Sequence, residues 1–340
     1  MAIMRVLILC CFSLILAPSA WAQGDPFQDA LGKLNHSDPM VRRQAAQALG
    51  EMRNPSAASP LIPLLSDANP LVREVTVTSL GMLRVQEASG RIAAALVQDK
   101  SPAVRQAAAI ALAYIGDPNT AMALGTALKD SEPGVRYSAA RTLGAIRASS
   151  AAPALMEALK DKDPEMRRAA AAALGLMQAR EAAPALQDMA KNEADPSIRA
   201  EAVRALGQMR DQSSSSNLMA LLGDPQLSVR LQAALALAQV GDSTGVPVAL
   251  AALKEREPMY RQQAANILAL VGDEKRAWPA LDAAWAAEAD AATKANMEHA
   301  RRQLRQKLGI KEPAKAPATA PKGAAKPASS NAKPAKKTSP

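Results

Sequence analysis

Aromatic side chains are scarce. Three Trp, three Tyr and two Phe make up 2% of 340 residues, too few to build a core on large rings. Histidine is scarcer still, at His36 and His299, and the two cysteines, Cys10 and Cys11, are adjacent near the start. Beyond residue 22 the chain therefore offers two isolated imidazoles and no thiolate, which argues against a clustered zinc or di-iron centre. No cofactor is expected. No apolar run reaches the ~18 residues that would suggest a membrane-spanning helix. What remains is a chain that is 49% hydrophobic, filled by alanine, leucine, valine and methionine. Small and unbranched residues of this kind favour helices whose backbones approach closely.

The net charge of +9 is unevenly placed. Residues 311–340 hold seven Lys and one Glu, whereas residues 23–310 hold 33 basic and 31 acidic residues. The basic character belongs to a tail. Residues 1–22 read as a secretory signal: Arg5, a short apolar stretch from Val6 to Ala17, and Ala20-Trp21-Ala22 as a small-x-small cleavage site. Cleavage after Ala22 would leave an exported, periplasmic or secreted chain without cysteine and without a transmembrane segment.

One residue repeats. Arg stands at 42, 73, 105, 136, 167, 199, 230 and 261, always 31 or 32 residues apart. Four residues earlier stands Asp, Asn, Ser or Glu in seven copies, and Gln226 in the other; Pro follows it in the same seven. That is an N-cap followed by proline at the first helical position. Val41, Ala45, Ala48, Leu49 and Met52 then mark one face of a first helix. Eleven residues after the Arg, Gly116, Gly241 and Gly272 suggest left-handed caps, and Arg53, Arg84, Arg147 and Arg210 suit the negative helix end. The three copies ending in glycine also carry Leu-Ala where the others carry Leu-Gly. A shorter apolar helix follows, as in Pro60–Leu65, Pro153–Lys160, Pro184–Lys191 and Pro247–Lys254.

Each unit is thus a helix–turn–helix of ~31 residues that cannot bury its apolar face alone and must stack on its neighbours. The expected fold is all-α, an α-α superhelix (alpha solenoid) of about eight such repeats over residues 38–290. Residues 23–37 are expected to cap it with one helix. Residues 291–310 are expected to close it with another, Met297, Ala300, Leu304 and Leu308 inward and Lys294, Arg301, Arg302 and Arg305 toward water. Residues 311–340, rich in Lys, Ala and Pro, have too little apolar surface for a core.

The frame Asp-Pro-x-Val-Arg followed by Ala-Ala-x-Ala-Leu-Gly resembles the HEAT repeat, in the short HEAT-like variety of bilin-lyase-type proteins. The resemblance covers about residues 36–290. It implies an armadillo-like helical scaffold whose second helices line a concave, partner-binding face. Deoxyhypusine hydroxylase, a relative with chemistry, uses His-Glu pairs to hold iron; here His36 and His299 are followed by Ser37 and Ala300. Bilin lyases need a tetrapyrrole and a phycobiliprotein, and no residue set here specifies either. No enzymatic activity is expected.

The repeat Arg invites a polyanion reading, but an acid stands six residues before it in seven copies. Asp67 precedes Arg73, Asp99 Arg105, Asp130 Arg136, Asp161 Arg167, Glu193 Arg199, Asp224 Arg230 and Glu255 Arg261. The spacing, as the resemblance also implies, predicts a structural ladder between repeats, pairing for example Asp161 with Arg167. Candidate partner contacts are Glu157, Lys160, Gln187, Lys191 and Lys254 on second helices, with Trp278 and Trp285, although the Trp pair suits packing on the closing helix. Tyr114, Tyr137 and Tyr260 suit core or boundary positions. Candidate anion contacts are Arg53, Arg84, Arg147 and Arg210, with Lys322, Lys326, Lys333, Lys336 and Lys337 of the tail. The functional expectation is a non-catalytic protein-interaction scaffold with an unknown protein partner. The alternative is a tether to anionic envelope components through the tail. Nucleic acid is not an expected partner of an exported chain.

Overall fold

The computed structural model describes residues 25–310. The expected signal sequence and the Lys/Ala/Pro tail, with all five tail lysines named above, lie outside the described residues. Among the described residues there are α-helices and short 3-10 turns and no strand. Helix α1 (Pro26–Lys33) leads. The first four repeats contribute α2 (Pro39–Glu51) and α3 (Ala58–Leu61), α4 (Pro70–Met82) and α5 (Ser89–Gln98), α6 (Pro102–Ile115) and α7 (Ala121–Ala127), then α8 (Pro133–Ala145) and α9 (Ala152–Ala158). The next four contribute α10 (Pro164–Met177) and α11 (Ala183–Asn192), α12 (Pro196–Met209) and α13 (Ser215–Leu221), α14 (Leu227–Gln239) and α15 (Val246–Ala252), then α16 (Pro258–Val271) and α17 (Ala277–Ala287). Helix α18 (Ala291–Leu308) closes the array. Even-numbered helices are the first helices of the repeats and pack successively, α2 on α4 on α6 and onward to α18. The chain is an alpha solenoid.

The first helices begin where the caps place them. Asp38, Asn69, Asp163 and Asp195 each accept a backbone N–H two residues on, with Pro at the first helical position. Ser101, Glu132, Gln226 and Glu257 stand at the same place without a side-chain cap. The second helices are short. In the first repeat Pro63 breaks even that, and the chain continues from α3 as a 3-10 turn over Ile62–Ser66.

Packing between first helices explains the Leu-Gly and Leu-Ala exchange. A Cβ added at Gly81 would lie 2.7 Å from the Ala111 Cβ, at Gly144 2.8 Å from the Ala173 Cα, at Gly175 2.7 Å from the Ala205 Cα, and at Gly207 2.8 Å from the Ala236 Cβ. These glycines let one helix backbone rest on the next. Where Ala113 and Ala238 stand instead, the junctions α6–α8 and α14–α16 pack less closely. Hydroxyl struts reinforce two junctions: Ser79 Oγ donates to the Ala46 carbonyl at 2.9 Å, and Thr142 Oγ1 to the Ala109 carbonyl at 2.8 Å.

The helix ends differ from expectation in two ways. Gly116 and Gly241 are left-handed, but Gly272 is extended, with φ −63° and ψ 152°. Arg53, Arg84, Arg147, Arg210 and Gln178 take the left-handed conformation themselves, with φ between 48° and 56°. Each donates its N–H to the carbonyl three residues back, Arg84 to Gly81 at 2.9 Å for example, so the cap is made at the strain of a non-glycine residue in that region. The core face also shifts by one position: Ala46 is fully buried, whereas Met52 is 40% exposed. The close neighbour of α2 is α4, and it covers Ala46 and Gly50 rather than the C-terminal Met52.

The interior is alanine and leucine throughout, and it falls into two clusters that meet on α14. Val229, Ala233, Ala236 and Leu237 belong to the larger cluster, Leu231, Ala234 and Ala238 to the smaller one under α15–α18. In α18, Met297, Ala300 and Leu304 are buried. Arg301 and Arg305 do not point to water. Arg301 lies over the rings of Trp285 and Trp278, at 4.0 and 5.6 Å, and Arg305 over Trp278 at 5.2 Å. Lys294 is also half-covered, 5.4 Å from the Trp285 ring. Cation–π attraction and the Arg301–Asp282 ion pair at 2.5 Å hold these groups to α17.

Candidate functional site: the arginine ladder and the helix faces

Every repeat Arg sits on the first turn of a first helix, and all but Arg230 reach in two directions. One nitrogen, Nη1, turns back to the carbonyl six residues earlier: Arg42 to His36 at 2.7 Å, Arg73 to Asp67 at 2.9 Å, Arg105 to Asp99 at 2.9 Å, Arg167 to Asp161 at 3.0 Å. The fork of Nε and Nη2 points forward. It grips both carboxylate oxygens of the acid that ends the second helix of the same repeat: Arg42 with Asp67, Arg73 with Asp99, Arg105 with Asp130, Arg167 with Glu193, Arg199 with Asp224 and Arg261 with Glu288, at 2.7–3.1 Å. In these six the ion pair therefore joins the Arg to the acid 25–27 residues later, not to the one six residues earlier. The earlier acid contributes only its backbone oxygen.

The same carboxylates also accept a backbone N–H two residues on, Asn69 to Asp67 at 2.8 Å and Gln226 to Asp224 at 2.8 Å. One acid thus fixes the turn into the next helix and receives the guanidinium of the previous one. These two-toothed charged contacts are the strong kind.

Four expected members of the ladder stand apart. Arg136 pairs with Asp163 at 3.1 Å, and Tyr137 donates its hydroxyl to the same carboxylate; Asp161 accepts the backbone N–H of Asp163 at 2.9 Å. Arg230 bonds the carbonyls of Asp224 and Pro225, at 2.8 and 2.9 Å, and forms no ion pair among the described residues; Glu255 is exposed. Conversely, Arg42 and Glu288 belong to the ladder, although His36 hid the first and the end of the Arg series hid the second. A Lys marks that end. Lys294 stands six residues after Glu288 and donates to the Glu288 carbonyl at 3.2 Å, so α18 is a ninth first helix with Lys for Arg.

The guanidinium hydrogen bonds hold the carboxyls of Asp67, Glu193 and Glu288 below their ordinary range, against a smaller opposing effect of burial. The sign follows. Groups whose folded pKa is depressed stabilise the fold fully above their unfolded pKa and lose that contribution as pH falls through the folded one. Thermal melting should be flat from neutrality down to about pH 5, then fall steeply below about pH 4, where model carboxyls titrate. The Arg partners are shifted upward, beyond any pH at which a melt is run. A melting temperature unchanged between pH 6 and pH 3 would show that the ladder carries no stabilising charge.

The candidate partner residues are not brought together: two line separate grooves between successive second helices, and the others lie apart. Lys160 lines a groove with Pro184, Ala185, Asp188 and Asn192, between α9 and α11. Lys254 lines another with Leu250, Ala280, Ala284 and Ala287, between α15 and α17. Glu157 pairs with Lys129 at 3.2 Å, Gln187 donates to Ser214 Oγ at 3.0 Å, and Lys191 is exposed on α11. Trp278 and Trp285 lie in neither groove but under the cations of α18. Arg53, Arg84, Arg147 and Arg210 are exposed and form no ion pair among the described residues. They do not form a continuous row, because Gly116, Gln178, Gly241 and Gly272 interrupt it.

The opposite layer holds apolar side chains that the sequence reading did not single out. Tyr114 is 55% exposed, not a core or boundary residue, and Ile110 is 44% exposed one turn earlier on α6. With Glu74, Thr78, Gln106 and Ala107 they line a groove between α4 and α6. Leu176 is exposed on α10 beside Ala172 and Ala145, in a groove that also holds Tyr137 and Arg141. Met82, Tyr114, Leu176 and Leu270 all stand nine residues after the repeat Arg, a register that was available in the sequence.

An all-helical array tied by a guanidinium ladder, with shallow grooves on both layers, defines a helical-repeat protein. The family comparison makes this specific: the model for HEAT repeats matches residues 28–91, 91–173, 152–230 and 216–300, and the chain belongs to the HEAT-repeat family. No curated protein matches it in sequence. Solved structures of similar fold include an engineered protein, at 20% identity and TM-score 0.47, covering 82% of this chain and 89% of that one. The complex of CpcE and CpcF of phycocyanin lyase from Nostoc is similar at 22% identity and TM-score 0.44, with 74% and 94% covered. YibA of E. coli is similar at 23% identity and TM-score 0.49, with 73% and 92% covered.

Proposed function

We propose that this chain is a non-catalytic scaffold that holds a protein partner in the grooves between its repeats. The observation that supports it is where the side chains go. The repeated charges are used within the array, while apolar side chains such as Ile110, Tyr114 and Leu176 remain in open grooves rather than in the core. Exposed apolar surface rimmed by polar groups is characteristic of interaction sites. The second-helix grooves at Lys160 and Lys254, on the layer that the family resemblance assigns to partners, are the other surface of this kind. We propose export as well, on the order of Arg5, the apolar stretch and Ala20-Trp21-Ala22.

A second reading rests on the seven lysines of residues 311–340: the tail tethers the array to anionic envelope components. Exposed lysines would do this weakly, screened within ~8 Å at physiological ionic strength. Photocrosslinkers placed at Tyr114 and at Lys160, in the full chain and in one ending at Lys311, separate the readings in the native host. A scaffold gives one crosslinked protein, at one or both positions, that persists without the tail. Loss of every adduct on truncation or in high salt would instead support the tether.

A further inference from the structure

Three kinds of contact lock one first helix to the next: the forward ion pair, a glycine that lets the backbones touch, and a side-chain hydrogen bond across the helices. The junction α2–α4 has all three, in Arg42–Asp67, Gly50 and Ser79. The junction α6–α8 lacks the glycine but keeps Arg105–Asp130 and the Thr142 strut. The junction α16–α18, also without a close glycine, keeps Arg261–Glu288 and a bond from Gln262 to Thr293 at 2.8 Å.

Among the described residues, the junction α14–α16 has none of them. Arg230 has no carboxylate, Ala238 replaces the glycine, and Ile267 stands where Ser79 and Thr142 carry hydroxyls. What the two helices share is one apolar cluster, with Leu231, Ala234 and Ala238 from α14 and Ala264, Ile267 and Leu268 from α16. Around it, α14 starts without proline and without a side-chain cap, and the turn from Lys254 to Met259 is exposed throughout.

We propose that α14–α16 is a shear joint, across which the last unit of the array, α16–α18, slides relative to α2–α14. Apolar contact is non-directional. Small displacements along it leave buried area nearly unchanged, whereas at every other junction they would break a hydrogen-bonded ion pair. The joint would let the Trp278–Trp285 end of the array adjust its angle independently of the rest, which does not depend on what the array binds.

Pairs of spin labels test this in the full chain with Cys10→Ser and Cys11→Ser, which removes its only native thiols. Gln47→Cys with Arg141→Cys spans three junctions that all carry ion pairs. Ala172→Cys with Asn266→Cys spans three junctions that include α14–α16, and all four sites occupy the same repeat position. The second pair should give a distance distribution about twofold broader than the first, as expected where one interface shears. Ala238→Gly with Ile267→Ala, which recreates the Gly207–Ala236 contact, should narrow it. Hydrogen exchange on the unmutated chain gives an independent reading: amides of residues 254–262 should exchange faster than their equivalents at 223–231. Equal widths for the two label pairs, or equal protection of the two segments, would overturn the joint.

Discussion

Arg167→Ala is expected to destabilise the array by about 2–3 kcal/mol, the cost of leaving a partly buried carboxylate without its charged donor. Arg167 and Glu193 are 20% and 11% exposed at their side chains, and both Nε and Nη2 are engaged at 2.8–2.9 Å. Screening by water is therefore incomplete, but not negligible, which places the figure below that of a fully buried pair. The informative measurement is a pair of double-mutant cycles in a denaturant melt. Arg167→Ala combined with Glu193→Ala should cost less than the two single changes together, by about 1–2 kcal/mol, because the second change removes the orphaned charge. Arg167→Ala combined with Asp161→Ala should be additive, since the Asp161 side chain serves Asp163 and only its carbonyl meets the arginine. Coupling with Asp161 and not with Glu193 would refute the forward pairing.

Gly144→Ala and Gly125→Ala should move stability in opposite directions, although both put alanine into a helix. Helix propensity alone favours alanine by ~1 kcal/mol at each site. At Gly125 the added methyl meets nothing within 4 Å, so most of that gain should appear. At Gly144 it would lie 2.8 Å from the Ala173 Cα, a backbone atom that cannot rotate away. Overpacking of this kind costs ~1–3 kcal/mol, which offsets the propensity gain and leaves a net loss of up to about 2 kcal/mol. The loss is bounded because α6–α8 accommodates Ala113 at the equivalent place by packing less closely. A stabilised Gly144→Ala protein would mean that the close approach of α8 and α10 does not constrain the array.

The repeat, its helices and their caps were legible because they depend on neighbours in sequence: an N-cap, a proline and an apolar face within fifteen residues. The ladder's members were legible too, but its direction was not. In a strict 31-residue period, an acid six residues before one Arg is also about 25 after the previous one, so spacing fits either pairing. Side-chain geometry decides, and it sends the fork of Arg167 across to Glu193. Arg136 shows why individual rungs resist sequence reading: it pairs with Asp163, whose carboxylate also takes the Tyr137 hydroxyl, rather than with Asp161. The left-handed Arg residues were recognised as helix ends but not as caps in their own right, since arginine gives no local signal for that conformation. The apolar groove residues were hidden because Tyr114 and Leu176 resemble core residues until the packing of α4, α6, α8 and α10 leaves them outside.

The one-way ladder has a consequence for how such a chain can change length. Each unit presents a backbone carbonyl and a carboxylate at its seam and asks its neighbour for nothing of a different shape. A duplicated 31-residue segment inserted in register would complete the same bonds on both sides and orphan no buried group. Growth by tandem duplication is therefore close to neutral for the seams, whereas an insertion that is not a whole number of 31- or 32-residue repeats would leave an arginine facing the wrong turn. Lys294 ends the series among the described residues. It makes the backward bond but lacks the planar fork, so α18 requires no acid beyond it, and the series terminates without an unmet charge.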